Sequence, residues 1–200
     1  MLFNNHSMLY TPSIAQPQGA IMSLKSTPDR YGTIAIVVHW VTALLVLALI
    51  VLGLNAADAD TDATKRALLI PHIALGLTVL ALTIFRIVWW VFADRRPNEL
   101  AGIPPLQSRI AATVHVLAYV FIIVLASTGI ATNIIGGVIP ALATGAPIPD
   151  LDDIAPRDIH GVLARLFMAL LAIHIGAALY HHFIRRDGLL SRMGIGKLPR

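Results

Sequence analysis

The sequence predicts an all-α protein, a transmembrane four-helix bundle whose helices run alternately up and down. Hydrophobic residues make up 56% of the 200-residue chain, and charged residues make up only 13%. Soluble domains carry about 25% charged residues, so this composition excludes a water-soluble monomer. Four apolar stretches are each near or above the roughly 20 residues that a helix needs to cross a bilayer. These stretches cover residues 33–54, 70–92, 110–132 and 159–184.

The polar segments between the stretches predict the orientation of the chain. Segments 55–69 and 133–158 hold three basic residues against seven aspartates, whereas eleven basic residues lie at the opposite ends of the helices. Cytoplasmic segments carry the excess of lysine and arginine. We therefore expect a multi-pass protein of the bacterial inner membrane with both termini in the cytoplasm. The net charge of +4 comes from the basic residues on the predicted cytoplasmic side. Membrane orientation therefore explains the positive charge, and no nucleic-acid partner is expected.

The chain is expected to have three parts. Residues 1–30 are polar and are expected to form a disordered cytoplasmic N-terminal extension. Residues 31–190 are expected to form the four-helix transmembrane domain, and residues 191–200 a basic cytoplasmic tail. The absence of cysteine excludes disulfides, thiolate metal sites and covalently attached c-type haem.

The apolar stretches contain His39, His72, His115, His160, His174 and His181, with His182 next to the last of these six, and an imidazole there is costly and needs a partner or a function. A single histidine there is ordinarily a hydrogen-bonding group between helices, but the spacing of these six is regular. His160 and His174 are fourteen residues apart. This is a rise of about 21 Å and close to four turns, so both lie on one helix face at two levels. The same spacing relates His72 to Arg86, His39 to Gly53 and His115 to Gly129.

Because the helices alternate in direction, these residues fall on two levels of one bundle. The periplasmic level holds His72 and His160, and the cytoplasmic level holds His39, His115, His174 and Arg86. Facing imidazoles in a helical bundle form a common haem site, and two imidazoles saturate the iron, which favours electron transfer over oxygen binding. The pattern therefore predicts two b-type haems. The glycines fall at the periplasmic level on the two helices without a ligand there, where a flat macrocycle needs room.

Two arginines are candidates to neutralise haem propionates, Arg86 at the cytoplasmic level and Arg165 at the periplasmic level. Arg86 has a second interpretation, as a snorkelling residue that anchors the end of its helix. A zinc or copper cluster is an alternative use of the histidines, but it needs three or four converging ligands. A proton relay needs buried carboxylates, and the apolar stretches contain no aspartate or glutamate.

Several segments together carry a resemblance to a known family. They are RYG at 30–32 with HW at 39–40, PHIALG at 71–76, Arg86, HVLAY at 115–119 with Gly129, the pair His160 and His174, HH at 181–182 and RRDGLL at 185–190. Over about residues 29–193 the chain resembles the bacterial cytochrome b561 family, four-helix di-haem proteins of the inner membrane. The resemblance implies that His72 and His160 hold the periplasmic haem iron and that His39 and His174 hold the cytoplasmic one.

The resemblance also implies an oxidoreductase of the respiratory membrane that oxidises superoxide on the periplasmic side and reduces ubiquinone. Anionic substrates are drawn to positive surfaces, whereas aspartates outnumber the basic residues of the two periplasmic segments. The cations available there to attract an anion are Lys65, Arg66, Arg157 and Arg165. The excess of negative charge in these segments therefore argues against superoxide as the donor more strongly than it argues against the two haems.

A quinone site is predicted at the cytoplasmic end. Ubiquinone needs hydrogen-bonding groups for its carbonyls and a source of protons on reduction. His181 lies seven residues beyond His174 and on nearly the same helix face, with Arg185 and Asp187 four and six residues further along the chain. We expect the quinone near His181, with His115 as the second candidate. The alternative is that His181 and His182 form an interfacial pair that anchors the helix.

Two functions fit these features. The first is transmembrane electron transfer from a periplasmic one-electron donor through both haems to ubiquinone. The second is a cytochrome b membrane-anchor subunit that passes electrons from a partner dehydrogenase or hydrogenase to quinone. The short loops leave little mass for docking and favour the first function, while a homodimer and a partner redox subunit both stay open. A third class, a bundle without cofactor, predicts no visible absorption.

Overall fold

Residues 23–99 and 102–196 are described by a computed structural model, and every regular element within them is helical. The helices are α1 (Thr33–Ala57), α2 (Asp62–Val88), α3 (Pro105–Ile135), α4 (Val138–Thr144), α5 (Ala155–Tyr180) and α6 (Leu189–Arg192). The four long helices are long and apolar enough to cross a membrane, which confirms the predicted all-α four-helix class. Residues 1–22 of the expected extension and 197–200 of the expected tail lie outside the described residues.

The long helices extend beyond the apolar stretches. Helix α1 ends at Ala57 and α2 begins at Asp62, so the polar connection is residues 58–61 rather than 55–69. The hydroxyl of Thr61 accepts a hydrogen bond from the backbone N of Thr64 at 3.2 Å, and Asp62 interacts favourably with the positive end of the helix dipole. Apolarity marks the part of a helix that lies in lipid, whereas capping residues mark where the helix begins.

Helices α2 and α5 each end in one π-helical turn, at Trp89–Ala93 and His181–Arg185. After the second turn, Arg186 (φ 52°) and Gly188 (φ 78°) adopt the left-handed conformation. The chain reverses there, and α6 packs against the π-helical turn. Such turns are frequent at functional sites, and this one contains the histidine that the sequence places near a quinone.

The bundle is built from two closely packed helix pairs. Helix α1 packs on α2 and α3 on α5, while α2 and α3 join the two pairs. The buried core contains Val46, Val79 and Phe167, and Phe121 stacks on Phe167 with ring centroids 5.8 Å apart. Each of the three buried residues lies midway in one fourteen-residue spacing: His39 to Gly53, His72 to Arg86, and His160 to His174. An apolar layer therefore separates the two predicted histidine levels.

Residues 23–30 close the end of the bundle that the sequence predicts to be cytoplasmic, called the cytoplasmic end below, although we expected them to be disordered. Ser26 donates hydrogen bonds from its backbone N and its Oγ to the carboxylate of Asp94, at 2.8–3.1 Å. The guanidinium of Arg192, a residue only 8% exposed, donates to three backbone oxygens. These oxygens belong to Pro28, Asp29 and Asn98. The segment is thus held against the loop after α2 and against α6, which crosses the expected domain boundary at residue 190.

We predict that Asp94 stabilises this end in a pH-dependent way. Burial by itself raises the pKa of Asp94, but hydrogen bonds from Ser26, Arg95 and Trp89 lower it below its usual value. A carboxylate whose pKa is lowered by folding stabilises the protein above about pH 4 and loses that contribution as the pH falls through its folded pKa. Asp94→Asn should therefore lower the free energy of unfolding at neutral pH by about 1.5–3 kcal/mol.

Unfolding of the detergent-solubilised protein, followed from about pH 7 to about pH 3, measures this contribution. The difference between Asp94→Asn and the unsubstituted protein should shrink as the pH falls. Asp153→Asn is the control, because Asp153 is exposed on the loop before α5 and should leave stability unchanged. A difference that stays constant with pH would contradict the assignment.

Candidate functional site

Two pairs of imidazoles meet between the helices, one at each side of the apolar core, and we call them the periplasmic and cytoplasmic pairs after the levels that the sequence predicts. The ring centroids of His72 and His160 are 6.3 Å apart, and those of His39 and His174 are 6.4 Å apart. Two imidazoles on opposite sides of one metal ion have centres roughly 6 Å apart, because each metal–nitrogen bond is about 2 Å and each ring nitrogen lies about 1.2 Å from its ring centre. Both separations suit bis-imidazole coordination, and α5 supplies one histidine to each pair.

At the periplasmic pair, the hydrogen bonds of His160 leave one ring nitrogen for a metal. Its Nδ1 lies 2.9 Å from the backbone O of Leu125 and 3.1 Å from the Oγ1 of Thr128. Donation to the carbonyl fixes the ring proton on Nδ1, so Nε2 keeps the lone pair that binds a metal. The buried Nδ1 of His72 makes no hydrogen bond of normal geometry within the described residues. Within the described residues, no hydrogen bond engages Nε2 of either ring.

Two glycines lie against the periplasmic pair, at the level that the fourteen-residue spacing predicts. A Cβ at position 53 would lie 3.0 Å from Cε1 of His72, and one at position 129 would lie 3.4 Å from Cε1 of His160. The first distance is shorter than a normal carbon–carbon contact of about 3.5–4.0 Å. Gly53 therefore makes room for the ring of His72 itself, in addition to the room for a macrocycle that the sequence suggests, whereas a Cβ at position 129 would make an ordinary contact with the ring of His160.

At the cytoplasmic pair, Arg86 contacts His39 directly. Nη1 of Arg86 lies 3.0 Å from Nδ1 of His39, and since a guanidinium only donates, Nδ1 is the acceptor. Nε of Arg86 is buried without a hydrogen-bond partner in the part of the chain that the structure describes. Arg86 thus reaches the predicted level with an unused buried donor, which suits an anionic group beside the histidine pair.

His115 lies beside the cytoplasmic pair. Its ring centroid is 5.3 Å from that of His174, in an edge-to-face arrangement, and its Nδ1 lies 2.6 Å from the backbone O of Ala111 in the same helix. This ring separation is shorter than bis-imidazole coordination requires, so the geometry favours His39 over His115 as the partner of His174. Among residues 23–99 and 102–196, no group of three or more metal-binding side chains converges on one point.

At the cytoplasmic boundary, both ring nitrogens of the buried His181 are hydrogen-bonded. Nδ1 pairs with Oδ2 of Asp187, and Nε2 lies 2.6 Å from Nε2 of Gln107. Arg185 is exposed and forms no hydrogen bond or ion pair with other described residues. The sequence gives no signal for Gln107, because a polar side chain in the first turn of a helix is ordinary. Only the packing of α3 on α5 brings it to His181.

The periplasmic cations do not form one free cluster. Arg66 donates to the backbone oxygens at the C-terminal end of α4, those of Ala141, Leu142 and Ala146. Arg157 pairs with the exposed carboxylates of Asp152 and Asp158. Arg165 is exposed, and its Nη1 lies 4.0 Å from the position of a Cβ on Gly161, so its side chain runs back along α5 towards the helix start. Two of the four cations are therefore engaged by the protein itself.

Residues 30–196 match the family described as prokaryotic cytochrome b561. The chain is similar to cytochrome b561 homolog 2 of Escherichia coli (strain K12), with 28% identity over 184 residues, covering 88% of this chain and 96% of the relative. It is similar to cytochrome b561 homolog 1 of the same organism, with 26% identity over 178 residues, covering 82% and 97%. The family match spans all four long helices and both histidine pairs.

Proposed function

Because the chain belongs to the prokaryotic cytochrome b561 family, we propose that it carries electrons across the bacterial inner membrane, from a periplasmic one-electron donor through two bis-histidine b haems to ubiquinone. Membership of the family, with four membrane-spanning helices, makes it a membrane electron-transfer protein that uses b-type haem. The number of haems, their ligands, the donor, the quinone and the cytoplasmic position of both termini belong to the proposal.

The observation that carries the proposal is the pair of imidazoles at each side of the apolar core. We assign His72 and His160 to the periplasmic haem, and His39 and His174 to the cytoplasmic haem. The ring separations of 6.3 and 6.4 Å support both assignments. When bound, each haem iron takes up and releases one electron, and two imidazole ligands leave no open position for oxygen.

Arg86 has a proposed role at the cytoplasmic haem. When His39 binds a metal through Nε2, its proton lies on Nδ1, the atom to which Arg86 donates in the structure. Since two donors cannot share this contact, the guanidinium would have to leave Nδ1 if His39 held a haem, and it would then be free to pair with a propionate. We propose Arg165 for the same task at the periplasmic haem, because its side chain runs towards that end of α5.

Gly53→Ala tests the periplasmic assignment. The added methyl would lie 3.0 Å from Cε1 of His72, so we predict that the ring is displaced and that bound haem falls from about two per chain towards about one. Gly176→Ala is the matched control, because a Cβ at that helical position meets nothing within 4 Å. The pyridine derivative measures haem per chain, and two haems in Gly53→Ala would argue against this ligand geometry.

For the donor, we propose superoxide on the strength of the family resemblance. Two superoxide ions each give one electron and leave as dioxygen, while ubiquinone takes up two electrons and two protons. Of the periplasmic cations, Lys65 and Arg165 are not engaged by hydrogen bonds or ion pairs within the described residues, whereas Arg66 and Arg157 are. An anion is therefore expected to approach near Lys65 and Arg165 rather than at a four-cation cluster.

For the acceptor, we propose that ubiquinone binds at the cytoplasmic end beside His181 and Asp187. The hydrogen bond between these two residues supports a site where protons are held, and Arg185 and His115 lie at its edges in the proposal. The ring of His115 packs against that of His174, which supports a role for His115 between the proposed cytoplasmic haem and the proposed quinone. Protons for the quinone would then come from the cytoplasm.

The alternative function is a membrane-anchor subunit that receives electrons from a partner dehydrogenase or hydrogenase. Such a subunit needs a surface for its partner, and the loop after α3 is the longest periplasmic segment. This loop is tied to the chain's own α2, because Arg66 binds the end of α4 and Asp62 accepts from the backbone N of Ile148 at 3.2 Å. Its folding onto the bundle favours a protein that works without a partner subunit.

A reduced-minus-oxidised visible spectrum of the purified chain, with haem per chain from the pyridine derivative, tests the proposal. Two low-spin b haems per chain are expected, and the chain alone should become reduced by superoxide and reoxidised by ubiquinone. One haem would overturn one of the two ligand assignments. A chain with both haems that accepts electrons only in the presence of a partner redox protein would support the anchor function instead.

A further inference from the structure

Three side chains from three segments form a hydrogen-bonded row at the cytoplasmic end. Asp187 precedes α6, His181 lies at the end of α5, and Gln107 lies in the first turn of α3. His181 is bonded to Asp187 through Nδ1 and to Gln107 through Nε2. The other carboxylate oxygen of Asp187 accepts from the backbone N of Leu189 at 3.2 Å, so the row is fixed at the start of α6.

The chemistry of the three groups sets the direction of every bond in this row. The carboxylate of Asp187 only accepts, so the proton of the neutral His181 ring lies on Nδ1. Nε2 then carries a lone pair and accepts from the amide of Gln107, which agrees with the amide nitrogen facing it at 2.6 Å. An amide nitrogen carries two hydrogens, and the second forms no hydrogen bond to any described residue. The row therefore ends in a donor on Gln107.

We propose that Gln107 donates the hydrogen bond that binds a quinone carbonyl, and that His181 and Asp187 hold its amide in the required orientation. This inference rests on the proposed quinone site at this end of the bundle. A carbonyl oxygen needs a donor, and Nε2 of His181 is an acceptor in this arrangement. Gln107 is then the binding residue, and His181 is a positioning residue for it.

A purely structural role for Gln107, as a tie between α3 and α5, predicts different behaviour from a carbonyl-binding role. Gln107→Leu keeps the approximate size and removes both the tie and the donor. Gln107→Glu has only acceptor atoms when ionised, so it keeps a bond to a protonated His181 but offers no donor to a carbonyl. Ser108→Ala is the control, because the hydroxyl of Ser108 binds Glu99 at 2.9 Å, outside the row.

The experiment uses the haem-loaded protein in detergent and decylubiquinone as the probe. Binding of decylubiquinone to the oxidised protein is measured by calorimetry, and reoxidation of the reduced haems by decylubiquinone is measured by stopped flow. We expect Gln107→Leu and Gln107→Glu both to raise the dissociation constant and the KM by roughly three- to tenfold, with the haem spectrum unchanged and Ser108→Ala like the unsubstituted protein.

Each other result has a definite meaning. If decylubiquinone does not reoxidise the unsubstituted protein, the proposed acceptor is wrong and the inference falls with it. If the unsubstituted protein is reoxidised and both variants at position 107 bind decylubiquinone normally, only the inference is overturned. If Gln107→Leu binds weakly and Gln107→Glu binds normally, Gln107 is a structural tie, which also overturns the inference.

Discussion

Replacing His160 with alanine is expected to remove the periplasmic haem and leave the cytoplasmic haem in place. The two histidine pairs lie on opposite sides of the apolar layer formed by Val46, Val79 and Phe167. Loss of one ligand should therefore not disturb the other pair, although α5 supplies a histidine to both. Haem per chain should fall from about two to about one, and the remaining haem should stay low-spin because both of its imidazoles are intact.

The reciprocal variant is His39→Ala, which should retain the periplasmic haem and lose the cytoplasmic one. Redox titration of each variant then gives the potential of a single haem, and the two values together should account for the titration of the unsubstituted protein. His115→Ala is the matched control, because it removes an imidazole at the cytoplasmic level and should leave both haems bound. Loss of a haem in His115→Ala, with two retained in His39→Ala, would reverse the assignment.

Replacing His181 with alanine is expected to leave both haems bound and to slow quinone reduction roughly 100-fold, the range in which a positioned proton donor contributes. The side chain lies seven residues beyond His174 and is bonded to Asp187 and Gln107, so its loss removes both the proton-holding pair with Asp187 and the support of the Gln107 amide. Stopped-flow reoxidation of the reduced haems by decylubiquinone measures the effect.

His182→Ala is the control for this prediction. His182 is the next residue, half-buried, and its ring contacts Phe183 with centroids 4.8 Å apart. The substitution should not change the rate of reoxidation. Equal slowing in both variants would indicate that the end of α5 has been disturbed as a whole, and normal reoxidation in His181→Ala would place the quinone elsewhere.

The apolar stretches predicted the four long helices because lipid demands a long run of apolar residues from any spanning helix. The ends of the helices were less predictable. Lys65 and Arg66 looked like loop residues but lie in the first turns of α2, which begins at Asp62. Hydropathy does not register the helical turns that extend past the lipid, and only the Thr61 cap indicates where α2 starts.

The contacts of residues 23–30 at the cytoplasmic end could likewise not be predicted from the sequence. Their composition is polar and predicted disorder, yet Ser26 binds Asp94, and Arg192 binds the backbone of the segment. Each partner is distant in sequence, so no local pattern announces the contact. A polar segment is ordered here because buried donors and acceptors from three parts of the chain satisfy one another.

The sequence by itself determined the helical class and the level of each histidine, because the rise and turn of a helix are fixed and fourteen residues return a side chain to the same face. Only the tertiary structure decided which groups meet across helices: His39 with Arg86, His160 with Leu125, Arg66 with the end of α4, and Gln107 with His181. Position along a helix follows from local geometry, whereas contact between helices depends on how their faces pack, which is settled by the whole bundle at once.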